Sequence, residues 1–234
     1  MINVEICTPS LASAQAAKEG GAQRIELCRN LECGGLTPAD DDIAYCVHKL
    51  GLLTHVLVRP RAGNFCNTPD EVAEIERTIV RCKALGAHAV VIGFLTADAR
   101  IDVDLTRRMV QLAAPMEVTF HRAFDEACQD PLEALQAIIS CGCTRLLTSG
   151  QAPTALEGAD VIKHLVDYTH HSSSTTHRFQ ILAGSGVTPS NVCELIAKTG
   201  VHEVHGSCKT TLPDGTVQTD AVQVRQLIDN INSL

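Results

Sequence analysis

The chain has 234 residues, 45% of them apolar, enough for a buried core of the size found in one large α/β barrel domain. Nineteen Lys and Arg stand against 27 Asp and Glu, a formal charge of −8, and only 3% of the residues are aromatic with no Trp. The chain therefore offers neither the field nor the stacking platform that nucleic acid or an anionic membrane surface requires.

The opening, MINVEIC, is an alternating apolar run rather than a basic region followed by a long apolar stretch, so no secretory signal is expected. From there short β-branched runs alternate with amphipathic stretches. Strands are predicted at INVEICT, RIELC, THVLVRP, AVVIGF, EVTFHR, RLLTSG, FQILAGSG and HEVHGS. Helix starts are predicted at Thr8-Pro9, Thr37-Pro38, Thr68-Pro69, Asp130-Pro131 and Thr188-Pro189, where a capping oxygen precedes a proline whose missing N–H costs nothing. Stops are predicted at Gly20, Gly51, Gly86, Gly142 and Gly200, each able to take the left-handed turn that ends a helix. The polar stretch from Thr169 to Arg178 reads as a helix-to-strand loop, so residues 1–234 are expected to form one domain. Eight strands, each followed by a helix, match a (β/α)8 TIM barrel in count and length; a doubly wound open sheet is the alternative, because alternation alone does not prove closure.

Strands buried under helices are normally apolar on both faces, and these are not. Period-two alternation sets Val4 and Ile6 against Asn3, Glu5 and Cys7, and Ile25 and Leu27 against Arg24, Glu26 and Cys28. It likewise sets Val56 and Val58 against His55, Leu57, Arg59 and Arg61, Val118 and Phe120 against Glu117, Thr119 and His121, and Val204 against Glu203, His205 and Ser207. With the apolar face on the helices, Glu5, Glu26, Arg59 and His121 point toward the barrel axis near the strand C-termini, where barrel enzymes place their sites. The competing expectation is a buried structural ion-pair cluster. The echo of VEIC in IELC is read as two adjacent strands presenting one Glu and Cys pair each to a shared site. Small residues in LTSGQ, AGSGV and HGSC, including Ser149, Gly184, Ser185, Gly186 and Ser207, would give backbone N–H groups to an anion at the mouth, with Arg59 and Arg61 beside it.

The ordered set EIC, RIELC, GGLTP, VRPRAGNF, VTFHRAFD, LLTSGQAP and HEVHGS resembles the CutC family, named for copper homeostasis, over nearly the whole chain. The resemblance implies a cytosolic (β/α)8 barrel with a role in copper handling and Cys7 and Cys28 as the Cu(I) ligands. The residues themselves leave a second reading open: an enzyme on a small phosphorylated or carboxylated metabolite. There Glu5, Glu26, His121 and Arg59 would be catalytic, His121 being a general acid or base oriented by Glu5 or Glu26, with Arg24, Arg61, Asp125 and His205 among the ligand-binding groups. A divalent ion such as Mg²⁺ or Mn²⁺ on the carboxylates and His121 also stays open, as does a homo-oligomer; no nucleotide-binding fingerprint occurs. Eleven cysteines, odd in number, scattered and without paired CxxC motifs, argue against a disulfide framework or structural zinc and for reduced thiols in a cytoplasmic protein without membrane spans.

Overall fold

Each alternating run is a strand in the computed structural model, which describes residues 2–171, 179–213 and 215–234. β1 (Asn3–Thr8), β2 (Arg24–Leu27), β3 (Leu53–Leu57), β4 (Ala89–Ile92), β5 (Glu117–Phe120), β6 (Arg145–Thr148), β7 (Gln180–Gly184) and β8 (Glu203–Gly206) pair in parallel, each with the next. β8 also pairs with β1, Val204 opposite Val4 and His205 opposite Glu5, so the sheet closes and the open-sheet alternative falls away. The fold is a (β/α)8 TIM barrel. Helices α1 (Leu11–Glu19), α2 (Asp40–Tyr45, continued as a π-helical turn over Cys46–Leu50), α3 (Pro69–Ala84), α4 (Val103–Ala113), α5 (Pro131–Ser140), α6 (Ala159–His171), α7 (Val192–Thr199) and α8 (Ala221–Asn232) return the chain. A small hairpin of β9 (Lys209–Thr211) and β10 (Val217–Thr219) lies between β8 and α8.

Parity sorts the strand side chains into two layers. Ile6, Ile25, Val56, Val90, Phe120 and Leu146 are fully buried in one apolar layer with helix residues such as Ala14, Ile79, Met109 and Leu227. Removing that area from water is the main favourable term for the ring, at roughly 25 cal/mol per Å². Their neighbours of opposite parity face the axis.

The helix boundaries follow the sequence in part. Thr68 caps α3 in a capping box, its hydroxyl accepting from Glu71 N–H at 3.4 Å while Glu71 Oε2 accepts from Thr68 N–H at 2.8 Å. Asp130 caps α5 through Leu132 and Glu133 N–H. The other three starts are displaced: Ser10 caps α1 in place of Thr8, α2 begins after Ala39 rather than Thr37, and α7 after Asn191 rather than Thr188. The displaced threonines are engaged elsewhere, since Thr8 still belongs to β1 and donates to the Glu26 carbonyl at 3.2 Å, while Thr37 donates to the Arg59 carbonyl at 3.1 Å. Gly51, Gly86, Gly142 and Gly200 are left-handed as expected, but Gly20 is not (φ −69), and Gly21 makes the turn instead (φ 97). Gly20 answers a different need, because a Cβ there would lie 2.5 Å from Val224 Cβ of α8. Thr169 to His171 of the expected loop end α6, and 172–178 lie outside the described residues. No described helix is long and apolar enough to cross a membrane.

Candidate functional site

Charge buried inside the barrel is paired. Glu5 Oε2 stands 2.9 Å from Arg24 Nε and 2.8 Å from His55 Nδ1, close charge contacts without hydrogen-bond alignment, and Oε1 lies 2.9 Å from His205 Nδ1. Glu203 Oε2 accepts from Arg24 Nη2 and from Arg145 Nε, both at 2.6 Å, and Arg145 Nη1 reaches Glu117 Oε2 at 3.1 Å. Burial alone would raise the carboxyl pKa values. Arg24 and His55 around Glu5, and Arg24 and Arg145 around Glu203, overcome it and hold both below the ordinary 4.5. This lower layer is the structural ion-pair cluster that parity foreshadows.

Above it, at the C-terminal ends of the strands, opens a cavity of about 700 Å³ whose floor is Cys7, Glu26, Cys28 and His205. The backbone register sets Cys7 opposite Glu26, so Cys28 is two residues further along, its N–H donating to the Thr8 carbonyl at 3.1 Å. The diagonal still brings the two sulfurs to 3.8 Å, against an apolar patch of Leu31, Leu57 and Val91. Cys7 Sγ, a Glu26 oxygen and a His205 nitrogen all lie within 4.8 Å of one another. The hydrogen bond with Cys28, burial and the Glu26 charge push the Cys7 thiol well above its ordinary 9.0, and burial raises Glu26. His205 is raised as well, which for an imidazole favours the charged form: burial disfavours that charge, but the Glu5 hydrogen bond and the Glu26 carboxylate 3.7 Å from Nε2 outweigh it.

The wall belongs to β3, β5 and their loops. His121 Nδ1 accepts from Ala123 N–H at 3.1 Å, and its ring sits 4.8 Å from that of Phe65. A Cβ on Gly93 would lie 2.3 Å from His121 Nδ1, so the glycine after β4 makes room for the imidazole. Burial, then the Arg59 charge, depress His121 to about 3, which leaves it neutral with its proton on Nε2. Arg59 donates to the carbonyls of Cys33, Gly35 and Gly63 at 2.8–3.1 Å and lies over the Phe65 ring, 5.0 Å to its centroid. Asp125 is saturated: it accepts from Arg122 Nε at 2.8 Å, from Thr148 Oγ1 at 2.5 Å, from the N–H and hydroxyl of Ser149 and from Gln151 N–H.

The expected site residues divide accordingly. Cys7, Glu26, Cys28 and His205 meet on the floor; Arg59, His121 and Asp125 reach the wall; Ser185, Gly186 and Ser207 form the rim. Glu5 and Arg24 lie one layer below, touching the cavity only through His205. Arg61 turns away from the axis to Glu71 at 2.5 Å and to the Asn64 and Cys66 carbonyls, where it fixes the loop that leads into α3. Ser149 is buried behind Asp125, and Gly184 is covered by His205, whose Cβ a side chain there would approach to 3.2 Å. The imidazole held by carboxylates is His205, whereas His121 is held by a backbone amide. Sequence reasoning did not single out Phe65, Lys209, Cys208 or Arg145. Phe65 ends the VRPRAGNF motif, and Arg145 shares the inward parity of its strand, so both carried a readable signal.

The family model that matches the chain is that of the CutC family, over residues 2–210. A protein of Chromobacterium violaceum named "family protein CutC" is 44% identical over 206 residues, 88% of this chain and 81% of that one. A Bacteroides fragilis protein of the same name is 41% identical over 212 residues, 90% of this chain and 82% of its own. A crystal structure described as a CutC copper homeostasis protein from Streptococcus agalactiae superposes with a TM-score of 0.81 at 31% identity, over 88% of this chain and 99% of that chain. Phosphoribosyl anthranilate isomerase of Thermotoga maritima matches along the full length of both chains with a TM-score of 0.64 at 15% identity, a likeness of fold alone. With motifs, family model and relatives in agreement along most of its length, the chain belongs to the CutC family.

Proposed function

We propose that this protein binds a soft metal ion, Cu(I) above all, on the cavity floor, and that it serves copper homeostasis in a reducing, cytoplasmic setting. The observation that carries the reading is the 3.8 Å separation of the Cys7 and Cys28 sulfurs. That gap is shorter than two metal–sulfur bonds of about 2.3 Å each, so both sulfurs can reach one ion in a bent arrangement that leaves a side open to a third donor. His205 and Glu26 are in place to be that donor. Two thiolates select a soft ion over Mg²⁺ or Mn²⁺, which take oxygen donors. Free thiols at all eleven cysteines suit a compartment that keeps them reduced. Anaerobic titration with Cu(I) should saturate one stoichiometric site that the double variant Cys7→Ser, Cys28→Ser abolishes; unchanged affinity in that variant rules the site out.

A second reading, binding of a small organic anion with or without chemistry upon it, is favoured by one observation: a cavity of about 700 Å³ is far larger than an ion and falls in the range of small-molecule pockets. A thermal-shift screen of phosphorylated and carboxylated compounds tests it, since a ligand at a hundred times its dissociation constant adds about 2.7 kcal/mol to stability. A broad library without a single hit counts against it.

A further inference from the structure

Three cations belong to the cavity above the floor: Arg59, Arg122 and Lys209. Arg122 is neutralised by Asp125. Arg59 is in no described ion pair, its hydrogen bonds running to backbone carbonyls, so only the more distant Glu126 charge acts on it; its Nε is moreover buried without a hydrogen-bond partner. Lys209, the exposed first residue of β9, adds a further charge at the rim, where Glu126 is the exposed acid. The loop ends of β7 and β8 beside it carry Ser185, Gly186 and Ser207, small residues that let an anion approach the backbone. Beside this positive region, His121 has one polar atom left for the cavity. Nδ1 is taken by Ala123 N–H, so the neutral ring presents Nε2–H, which has no hydrogen bond among those of the described residues, and the Phe65 ring packs against the imidazole. A donor backed by an aromatic face suits an oxygen that only accepts, as a carbonyl does; a hydroxyl there would leave its own proton unmatched.

We propose that the cavity binds a small phosphorylated carbonyl compound, its phosphate in the field of Arg59 and Lys209 and its carbonyl oxygen accepting a hydrogen bond from His121 Nε2. The assignment rests on the small-anion reading above and names its ligand class. The ligand sits over the metal-binding floor and needs neither sulfur.

Calorimetric titration with ribulose 5-phosphate, with ribitol 5-phosphate, which differs in lacking the carbonyl, and with inorganic phosphate tests it on metal-free and Cu(I)-loaded protein. The wild type should bind the ketose phosphate at least tenfold more tightly than the polyol phosphate. Lys209→Ala should weaken both sugar phosphates several-fold while leaving their ratio. His121→Ala should bring the ratio close to one, and His121→Gln, which keeps an N–H donor, should restore part of it. Circular dichroism identifies a His121 variant that fails to fold, and Lys209→Ala, on the exposed hairpin, then still tests the anion seat. Equal binding of the two sugar phosphates by the wild type overturns the carbonyl assignment and leaves the anion reading standing. No binding of any of the three probes overturns both.

Discussion

His121 links the chemistry of the wall to the stability of the fold. Its pKa is held to about 3 by burial and by Arg59, against an ordinary 6.5, so on acidification the unfolded chain takes up this proton first. The stabilisation is complete above pH 6.5 and is lost as pH falls from there toward about 3, with a slope of at most about 1.4 kcal/mol per pH unit. Urea midpoints measured between pH 7 and 5 should therefore fall less steeply in His121→Gln than in the wild type; parallel curves would show that the imidazole charges freely in the fold. Gly93→Ala should cost about 1–3 kcal/mol by overpacking, since the new Cβ would lie 2.3 Å from His121 Nδ1, and it should weaken any ligand held by that ring. At this scale the sequence shows which side chains face inward and little of what each one touches. Parity placed Cys7 and Cys28 inside, but their sulfur separation depends on a diagonal between strands that no single strand encodes. Arg59 and Arg61 look equivalent in VRPR, and only the course of the following loop gives the first to the cavity and the second to Glu71.

Strands were legible as short β-branched or apolar runs between one helix stop and the next start, and helix starts were legible only where the threonine or aspartate hydroxyl or carboxylate had no competing partner. Thr68 and Asp130 cap; Thr8 and Thr37 donate to carbonyls of neighbouring segments, which moves the true start two residues on. Thr68→Ala should destabilise the protein by about 1 kcal/mol, read from thermal or urea unfolding, while Thr8→Ala should leave α1 capped by Ser10. The strands also share charge in a way that parity alone does not reveal. Glu203 of β8 joins Arg24 of β2 to Arg145 of β6, and Glu203→Gln would leave two buried guanidinium groups short of a counter-charge. A loss of about 3–5 kcal/mol is expected, measured by chemical denaturation; a loss under about 1 kcal/mol would mean that Glu117 and Glu5 compensate it.

The whole ring was readable as a count of alternating runs, and its closure was not, because the β1–β8 pairing joins residues some two hundred positions apart. Closure is what stacks the site: a charge-balanced layer below, a donor floor above it, and an open cavity over both. The rim of that cavity is unevenly fastened. The Arg59 guanidinium ties the segments after β2 and β3 together, and the Asp125 carboxylate ties those after β5 and β6. Opposite them the β9–β10 hairpin is anchored at its base, where buried Thr219 N–H donates to Ser13 Oγ of α1 at 3.1 Å, and pairs with itself beyond that point. Two quadrants of the entrance are thus riveted by single side chains, and a third is held only at the base of its hairpin. Amide hydrogens of residues 209–211 should exchange with deuterium sooner than those around residues 33–37 and 148–151, so the entrance would loosen first on the side away from its two rivets.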